Sequence, residues 1–366
     1  MKVLGEFKTK NVFQRVMLVL VVMVMFLTLV GCSAKDASGS SNSNGEQKKI
    51  ELRLAHFFPG THPVETELVQ KWAAAIEEAT EGRITIVSYP GQTLLQADAI
   101  YEGVTTGIAD VGLSCFSYTR GRFSVLEVFE LPGVRYDNSK VASKVAWEGI
   151  RELNPPEVQD TKLLMVFATG PGDLFTKVPV RSLEDMRGLE IRATGLSAVT
   201  IEALGGIPVA MPQSDAYEAL SKGVVKGNLS PVEVLGGWRH AEVTDYLTLT
   251  PFLYNTLFFI TMNLDTWNSL TPDTQLAIET VSQAYFEEMA MGLWDMQNET
   301  ALKWAVEETG QEIITLSEEE AARWVNLVQP IKDDYIKRID GQGYNGREIM
   351  DLVEGLADRY NQEYGK

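Results

Sequence analysis

From residue 50 onward, apolar stretches with a two-residue period alternate with stretches of helical period, and this alternation constrains the fold more than any other feature of the chain. IELRLAHF (50–57) sets Ile50, Leu52 and Leu54 on one face. In HPVETELVQKWAAAIEEATEG, Val64, Leu68, Trp72, Ile76 and Ala79 fall at helical spacing, with Pro63 suited to a first turn and Gly82 to a stop. RITIVSY (83–89) reads as a strand, LLQADAIYEGVTTG as a helix and ADVGLSC (109–115) as a strand. A βαβαβ succession of this kind predicts a mostly parallel sheet in an α/β fold.

The middle of the chain repeats the theme. KLLMVFA (162–168) and LFTKVPV (174–180) read as strands, SLEDMRG as a short helix capped by Ser182 with Asp185 early in it, and LEIRA as a strand. Helix 196–204, strand 208–211, helix 214–223 and strands 243–250 and 256–263 follow. The texture then changes. From Pro272 to Gly310 the only interior glycine is Gly292 and there is no second proline. The run predicts one helix, about 50 Å long, that crosses two domains rather than belonging to one. GQEIITL (310–316) returns to a strand, Ser317 and Glu320 stand at capping-box spacing, and 331–366 reads as helical and charged.

The 366 residues suffice for two domains with real cores. The first 49 lie outside them. Lys2, Lys8, Lys10 and Arg15 precede the uncharged apolar run 16–30, which is short for a membrane span and suits a secretory signal. The run ends in Leu29-Val30-Gly31-Cys32, which resembles the lipobox of bacterial lipoproteins; the resemblance implies cleavage before Cys32 and a diacylglycerol on its thiol. The other reading is an unmodified cysteine after an uncleaved anchor. Residues 33–49, rich in Ser, Asn and Gly, read as a flexible tether.

Loss of residues 1–31 moves the net charge from −18 to −21. Such an acidic body repels nucleic acid and anionic lipid, although a closed pocket sets its own local field. Beyond Cys32 the only cysteine is Cys115, so no internal disulfide forms, and no Cys/His spacing suggests a metal. The three histidines, His56, His62 and His240, pair with no nucleophile motif, and no G-x-S-x-G, P-loop, HExxH or G-x-G-x-x-G occurs. Neither a cofactor nor catalysis is expected.

GLEIRATG (188–195) sets Arg192 at the end of a short strand, ahead of a turn and a helix. The carboxyl ends of strands in open α/β sheets form ligand crevices, and a guanidinium presents a planar fork that matches a carboxylate. A solvated or structurally paired arginine fits the same string.

Three strings then converge. YPGQTLLQADAIYEGVTTGIADVGL (89–113), SLEDMRGLEIRATG (182–195) and GGIPVAMPQSDAYEALSKGVVKGNLSP (205–231) resemble, in order and spacing, the DctP-type solute-binding proteins of TRAP transporters over roughly residues 50–330. The resemblance implies an extracytoplasmic, two-lobed α/β protein that closes like a flytrap on a small organic acid and delivers it to a small and a large membrane subunit. Strands are exchanged between its lobes, and one long helix spans both. It implies lobe I over 50–169 with 256–290, lobe II over 170–255 with 310–366, and the spanning helix over 272–309.

The resemblance also makes Arg192 the partner of the ligand carboxylate. Ser230 stands where many members have Asn, and Lys226 where Asp is frequent. Sugar-acid binders carry a second arginine about twenty residues before the first; here 169–175 reads TGPGDLF, which disfavours a polyhydroxylated or doubly charged ligand. Aromatic groups near strand ends and lobe crossings, namely Phe57, Phe116, Phe175, Trp238 and Tyr254 with Asn255, suit an acid with an apolar or aromatic body, or pack the core and hinge. His62 either donates to a carboxylate or caps the helix at Pro63. Glu233 either receives a ligand amine or hydroxyl or holds Arg239. An ABC-type solute receptor, a ligand-sensing lipoprotein and a secreted enzyme share parts of this pattern; the 272–309 run and the EIRATG string speak against the first.

Overall fold

The structure, a computed structural model, describes residues 49–365. The signal segment, Cys32 and the tether up to residue 48 lie outside the described residues.

Eleven strands among the described residues form two sheets. In chain order they are β1 (Ile50–His56), β2 (Ile84–Tyr89), β3 (Val111–Cys115), β4 (Thr161–Ala168), β5 (Asp173–Thr176), β6 (Glu190–Ala193), β7 (Ile207–Ala210), β8 (Gly227–Ser230), β9 (Tyr246–Leu249), β10 (Leu257–Asn263) and β11 (Glu312–Thr315). The first sheet runs β2-β1-β3-β10-β4 and the second β11-β9-β5-β8-β6-β7. The chain therefore leaves the first sheet after β4, builds five strands of the second, returns for β10 and leaves again for β11. Two lobes with exchanged strands result.

Both sheets are more mixed than the βαβ pattern predicts. β1 is parallel to β2 and β3, but β10 runs antiparallel to β3 and β4. In the second sheet β5 is antiparallel to β8 and β9, while β6 is parallel to β7 and β8. The reversed strands are those entering across the lobe boundary, where no crossover helix precedes them. β10, with partners on both sides, is buried at every position, and its sequence LFFITMN carries no alternation.

The 272–309 run requires a correction. Met289 (φ −128°, ψ −59°) interrupts it, leaving a helix Pro272–Glu288, a short turn Ala290–Gly292 and a helix Leu293–Trp304. The break lies where side chains of the second segment tie down another helix. Asp295 accepts the Ser139 and Lys140 N–H groups at 2.7 and 3.3 Å, satisfying orphan donors at the start of the helix Ser139–Leu153. The Pro272–Glu288 segment stays with the first lobe, where Trp72 Nε1 donates to Ser282 Oγ at 3.1 Å. The Leu293–Trp304 segment reaches the second, where Ala301 packs against Gly236.

The assignment of 310–366 to the second lobe also changes. β11 joins the second sheet, and the helix Glu318–Val328 follows it, Glu320 accepting the Leu183 N–H at 2.7 Å. The helices Pro330–Gly341 and Gly346–Tyr364 return to the first lobe. Tyr335 donates to the Val125 carbonyl at 2.9 Å, and Leu356 lies against Gly149 on the helix Ser139–Leu153. The stripe Ile349, Val353, Leu356, Ala357 and Tyr360 has helical period and is buried against that lobe.

Candidate functional site

Arg192 sits in β6, flanked in register by Val209 of β7 and Asn228 of β8, at the carboxyl end of parallel strands. It is 2% exposed. Its Nε donates to the Met211 carbonyl at 2.9 Å, Nη1 to Ser230 Oγ at 3.3 Å and Asn228 Oδ1 at 3.4 Å, and Nη2 to Tyr118 Oη at 3.3 Å. Every one of these acceptors is neutral, and among the described residues no carboxylate pairs with the guanidinium. Buried charges are almost always paired, because desolvation of a lone ion is costly. The groups behind it add no counter-charge. Gln213 and Asn228 flank the His240 ring at 3.0 and 3.2 Å, and burial together with the Arg192 charge pushes that ring down to about 3, so it stays neutral.

The turn after β6 explains the end of the GLEIRATG string. Thr194 N–H donates to Ser197 Oγ at 2.9 Å, and Gly195 adopts φ 52°. A Cβ there would stand 2.8 Å from Ser117 Cβ, so glycine lets the Ser117–Tyr118 segment of the first lobe close over Arg192. Tyr118 Oη also accepts the Gln213 N–H at 2.9 Å, bridging the lobes. Glu130, on the first-lobe side, accepts the Leu257 N–H at 2.7 Å where β10 begins, and burial pushes its carboxyl up to about 8.

Arg192 opens on a small cavity between the lobes, of about 20 Å³. Of the residues nominated from the sequence, Arg192, Ser230, Phe57, Glu233, Trp238 and Tyr254 line it. His62 stands behind the wall: its Nδ1 accepts the Val64 N–H at 3.1 Å at the helix start, and its Nε2 lies 3.2 Å from the protein's own Glu233 Oε2 rather than on the cavity. Glu233 does not hold Arg239, which pairs with Glu242 instead.

Three nominations fall away from the cavity. Phe116 packs edge-on against Phe123 at 4.8 Å and against Phe259 at 4.9 Å. Phe175, in the middle of β5, is buried with Val234, Leu235 and Leu247. Asn255 turns its amide to the Phe129 carbonyl at 2.8 Å. Sequence reasoning missed Tyr118, Gln213 and Trp294 in the cavity wall, whereas Phe58, beside Phe57 at the end of the first strand, was in reach of it. Tyr118 lies three residues beyond the end of β3 and Gln213 three beyond β7, so the strand-end rule that singled out Arg192, carried a turn further, reaches both.

The aromatic wall is continuous. Phe57 stacks on Phe58 at 4.3 Å and lies 5.3 Å from Tyr118 and 6.1 Å from Trp238; Trp294 stacks on Phe258 at 4.7 Å. Gly172 is pressed into it: a Cβ would meet the Tyr254 ring at 2.4 Å and the Ser230 carbonyl oxygen at 2.7 Å. Twenty residues before Arg192, the chain thus has no room for a second long side chain. A larger hollow of about 650 Å³ lies elsewhere on the lobe boundary, lined by Phe116, Arg120, Glu127 and Arg338 among others. There Glu127 and Arg338 pair with each other and Arg120 is exposed to solvent, so it lacks the buried, uncompensated charge that marks the smaller cavity.

Comparison with known proteins bears on the family and the fold. The family described as bacterial extracellular solute-binding protein, family 7 (DctP), matches residues 54–338. A TRAP periplasmic solute-binding protein from Desulfovibrio salexigens, solved in an open form with the C-terminus of a symmetry mate in its ligand-binding site, is 33% identical, covering 87% of this chain and 98% of its own, with a TM-score of 0.74. A marine-metagenome TRAP solute-binding protein specific for aromatic acid ligands, in complex with 3-hydroxybenzoate, is 27% identical over 86% of this chain and 99% of its own, with a TM-score of 0.81. A counterpart from Bordetella bronchiseptica holding (R)- and (S)-mandelate is 26% identical over 85% and 99%, with a TM-score of 0.79.

Proposed function

The chain belongs to family 7 of the bacterial extracellular solute-binding proteins, the DctP family of TRAP receptors, and from that membership we propose that it captures a small monocarboxylate with an apolar or aromatic body. Members of the family are periplasmic or extracytoplasmic receptors for small organic acids. The observation that carries the finer reading is Arg192, a buried guanidinium surrounded by neutral acceptors. A ligand carboxylate supplies the missing charge and can engage the guanidinium in a bidentate pair.

The body of the ligand faces Phe57, Phe58, Trp238 and Tyr254. About 20 Å³ holds roughly one water, so a ring enters only when the lobes part. Capture is therefore opening, pairing and closure, with closure strengthening the ion pair by excluding water. The loaded receptor then delivers the acid to a small and a large TRAP membrane subunit, and the acylated Cys32 tethers it to the membrane outside the cytoplasm. Relatives that bind aromatic and hydroxy acids support the ring-bearing class.

The test is calorimetric titration of the refolded, ligand-free protein with matched acids. Benzoate-type and phenylacetate-type monocarboxylates bind with a single site, and smaller-angle scattering shows a reduced radius on binding. Tighter binding of four-carbon dicarboxylates than of any ring-bearing monocarboxylate overturns the ligand class; unchanged scattering with a bound acid overturns the closure. Metabolic labelling with a fatty acid, lost in Cys32→Ala, tests the anchor.

A further inference from the structure

One part of the cavity wall is polar in a way that a carboxylate on Arg192 does not use. Glu233, three residues beyond β8 in the second lobe, is 2% exposed. His62, in the loop after β1 in the first lobe, is 1% exposed. Because His62 Nδ1 accepts the Val64 N–H at 3.1 Å, the proton of the neutral ring resides on Nε2. That N–H donates to Glu233 Oε2 at 3.2 Å. Glu233 Oε1 receives no hydrogen bond among the described residues, and Glu233 lines the cavity.

Two neighbours complete the arrangement. A Cβ at Gly237 would stand 2.7 Å from Glu233 Oε2 and 2.8 Å from His62 Nε2, so the glycine leaves the ring and the carboxylate free to meet. The Trp238 ring lies 5.7 Å from the His62 ring and also lines the cavity, and its Nε1 is buried without an acceptor. Trp294 Nε1, in the same wall, is a second buried donor without a partner. The wall thus holds an acceptor with a free oxygen beside donors with no acceptor. Buried polar groups are rarely left in that condition, and in binding sites a ligand group is what completes them.

We propose that Glu233 and Trp238, with His62 positioning the carboxylate, form a second recognition pole that selects acids bearing a hydroxyl or N–H group on the body of the molecule. A hydroxyl satisfies both sides: its proton goes to Glu233 Oε1 and its oxygen accepts from an indole N–H. The pole rests on the reading that Arg192 takes the carboxylate, and it narrows the ligand from ring-bearing acids to hydroxylated or N–H-bearing ones. His62 belongs to one lobe and Glu233 to the other, so the pole is assembled only when the cleft shuts.

The experiment is calorimetric titration of the full mature chain with two matched pairs, benzoate against 3-hydroxybenzoate and phenylacetate against mandelate. The wild type is expected to favour the hydroxylated member of at least one pair by roughly ten- to hundredfold, the scale of one hydrogen bond to a charged group. Glu233→Gln removes that preference while leaving the unsubstituted acid within a few-fold of its wild-type affinity, and Trp238→Phe reduces the preference while keeping the ring. A purely structural contact between lobes would weaken both members of a pair equally, and that result overturns the proposal. So does a wild type that binds both members alike or binds no acid of either pair. Arg192→Ala, run in parallel, separates the two claims: retained binding there defeats the carboxylate reading, whereas lost binding there with no effect of Glu233→Gln defeats the second pole alone.

Discussion

The two lobes contribute different chemistry to the same cavity. The second lobe supplies the charge: Arg192, Ser230, Asn228, Gln213 and His240 form a buried polar network on strands only four residues long and the segments that follow them. The first lobe and the spanning segment supply most of the rings: Phe57, Phe58, Phe258 and Trp294 come from the end of β1, from β10 and from the helix Leu293–Trp304, and the second lobe adds Trp238. Neither half is a complete site. A guanidinium on an open lobe is hydrated and gains little from a carboxylate, and a ring wall alone has no preference for an acid. In the proposed capture, closure joins them, so affinity and closure would be one equilibrium.

The sharpest way to break this comparison is to remove the charge from the polar lobe. Arg192→Ala is expected to lose about 2–5 kcal/mol of binding free energy for any carboxylate, because the anion would be desolvated without its partner. Calorimetry should show no measurable heat, while circular dichroism and the thermal transition stay close to wild type; near-normal affinity would detach the site from Arg192.

The next effect lies where the first lobe meets the start of β10. Burial raises the Glu130 carboxyl from 4.5 to about 8. The folded state therefore keeps a proton that the unfolded chain has lost, and stability falls as pH rises from the unfolded value through about 8. The slope is about 1.4 kcal/mol per pH unit while only the folded state holds the proton. Asp173, pushed by burial up to about 6, acts in the same direction at lower pH, and His240, kept neutral in the folded state down to about 3, acts in the opposite direction up to its ordinary value of 6.5, so the interval from pH 7 to 8 is where Glu130 governs the slope. In Glu130→Gln, urea midpoints across that interval should lose this slope; an unchanged slope assigns it to other groups.

A smaller effect probes the contact that bridges the lobes at the arginine. Tyr118→Phe deletes the oxygen that accepts from Arg192 Nη2 and from the Gln213 N–H. In the closed form both donors lose an acceptor, whereas in an open cleft water replaces it. The expected cost is about 1–2 kcal/mol in affinity with little change in the thermal stability of the ligand-free protein. An equal loss in both measurements would make Tyr118 a packing residue of one lobe.

The same division explains how much could be read from the sequence. The place of Arg192 at the cavity was legible because a single residue at a strand end, followed by Thr194 and Gly195, carries the geometry in eight consecutive letters. The alternation of periods gave the α/β class, the two-lobed form came only with the family resemblance, and Ser317 caps its helix from Oγ as its spacing predicts, accepting the Glu320 N–H at 3.2 Å. Phe116 and Phe175 were indistinguishable from cavity aromatics because period and strand position do not say which face of a sheet meets the cleft. The break at Met289 was hidden because local sequence does not show the long-range packing beside it, where Asp295 meets Ser139, 156 residues away. The return of Gly346–Tyr364 to the first lobe was hidden for the same reason: an amphipathic stripe reports that a partner exists, not which helix provides it.

The ring wall gives the mildest test of the comparison, and the one that separates its two halves. Phe57 is 2% exposed and stacked between Phe58 and the cleft face of Trp238. Phe57→Leu keeps an apolar side chain of similar reach but removes the π-stacking surface, worth about 1 kcal/mol for an aromatic pair beyond its buried area. The loss should fall on acids according to their bodies. Benzoate-type ligands weaken by roughly fivefold, by the same free energy, whereas acetate, which offers a carboxylate and almost nothing else, keeps its affinity. Arg192→Ala, by contrast, removes both. If Phe57→Leu weakens acetate and ring-bearing acids alike, the aromatic lobe governs closure itself rather than the choice of ligand, and the division of labour between the lobes gives way to a single shared role.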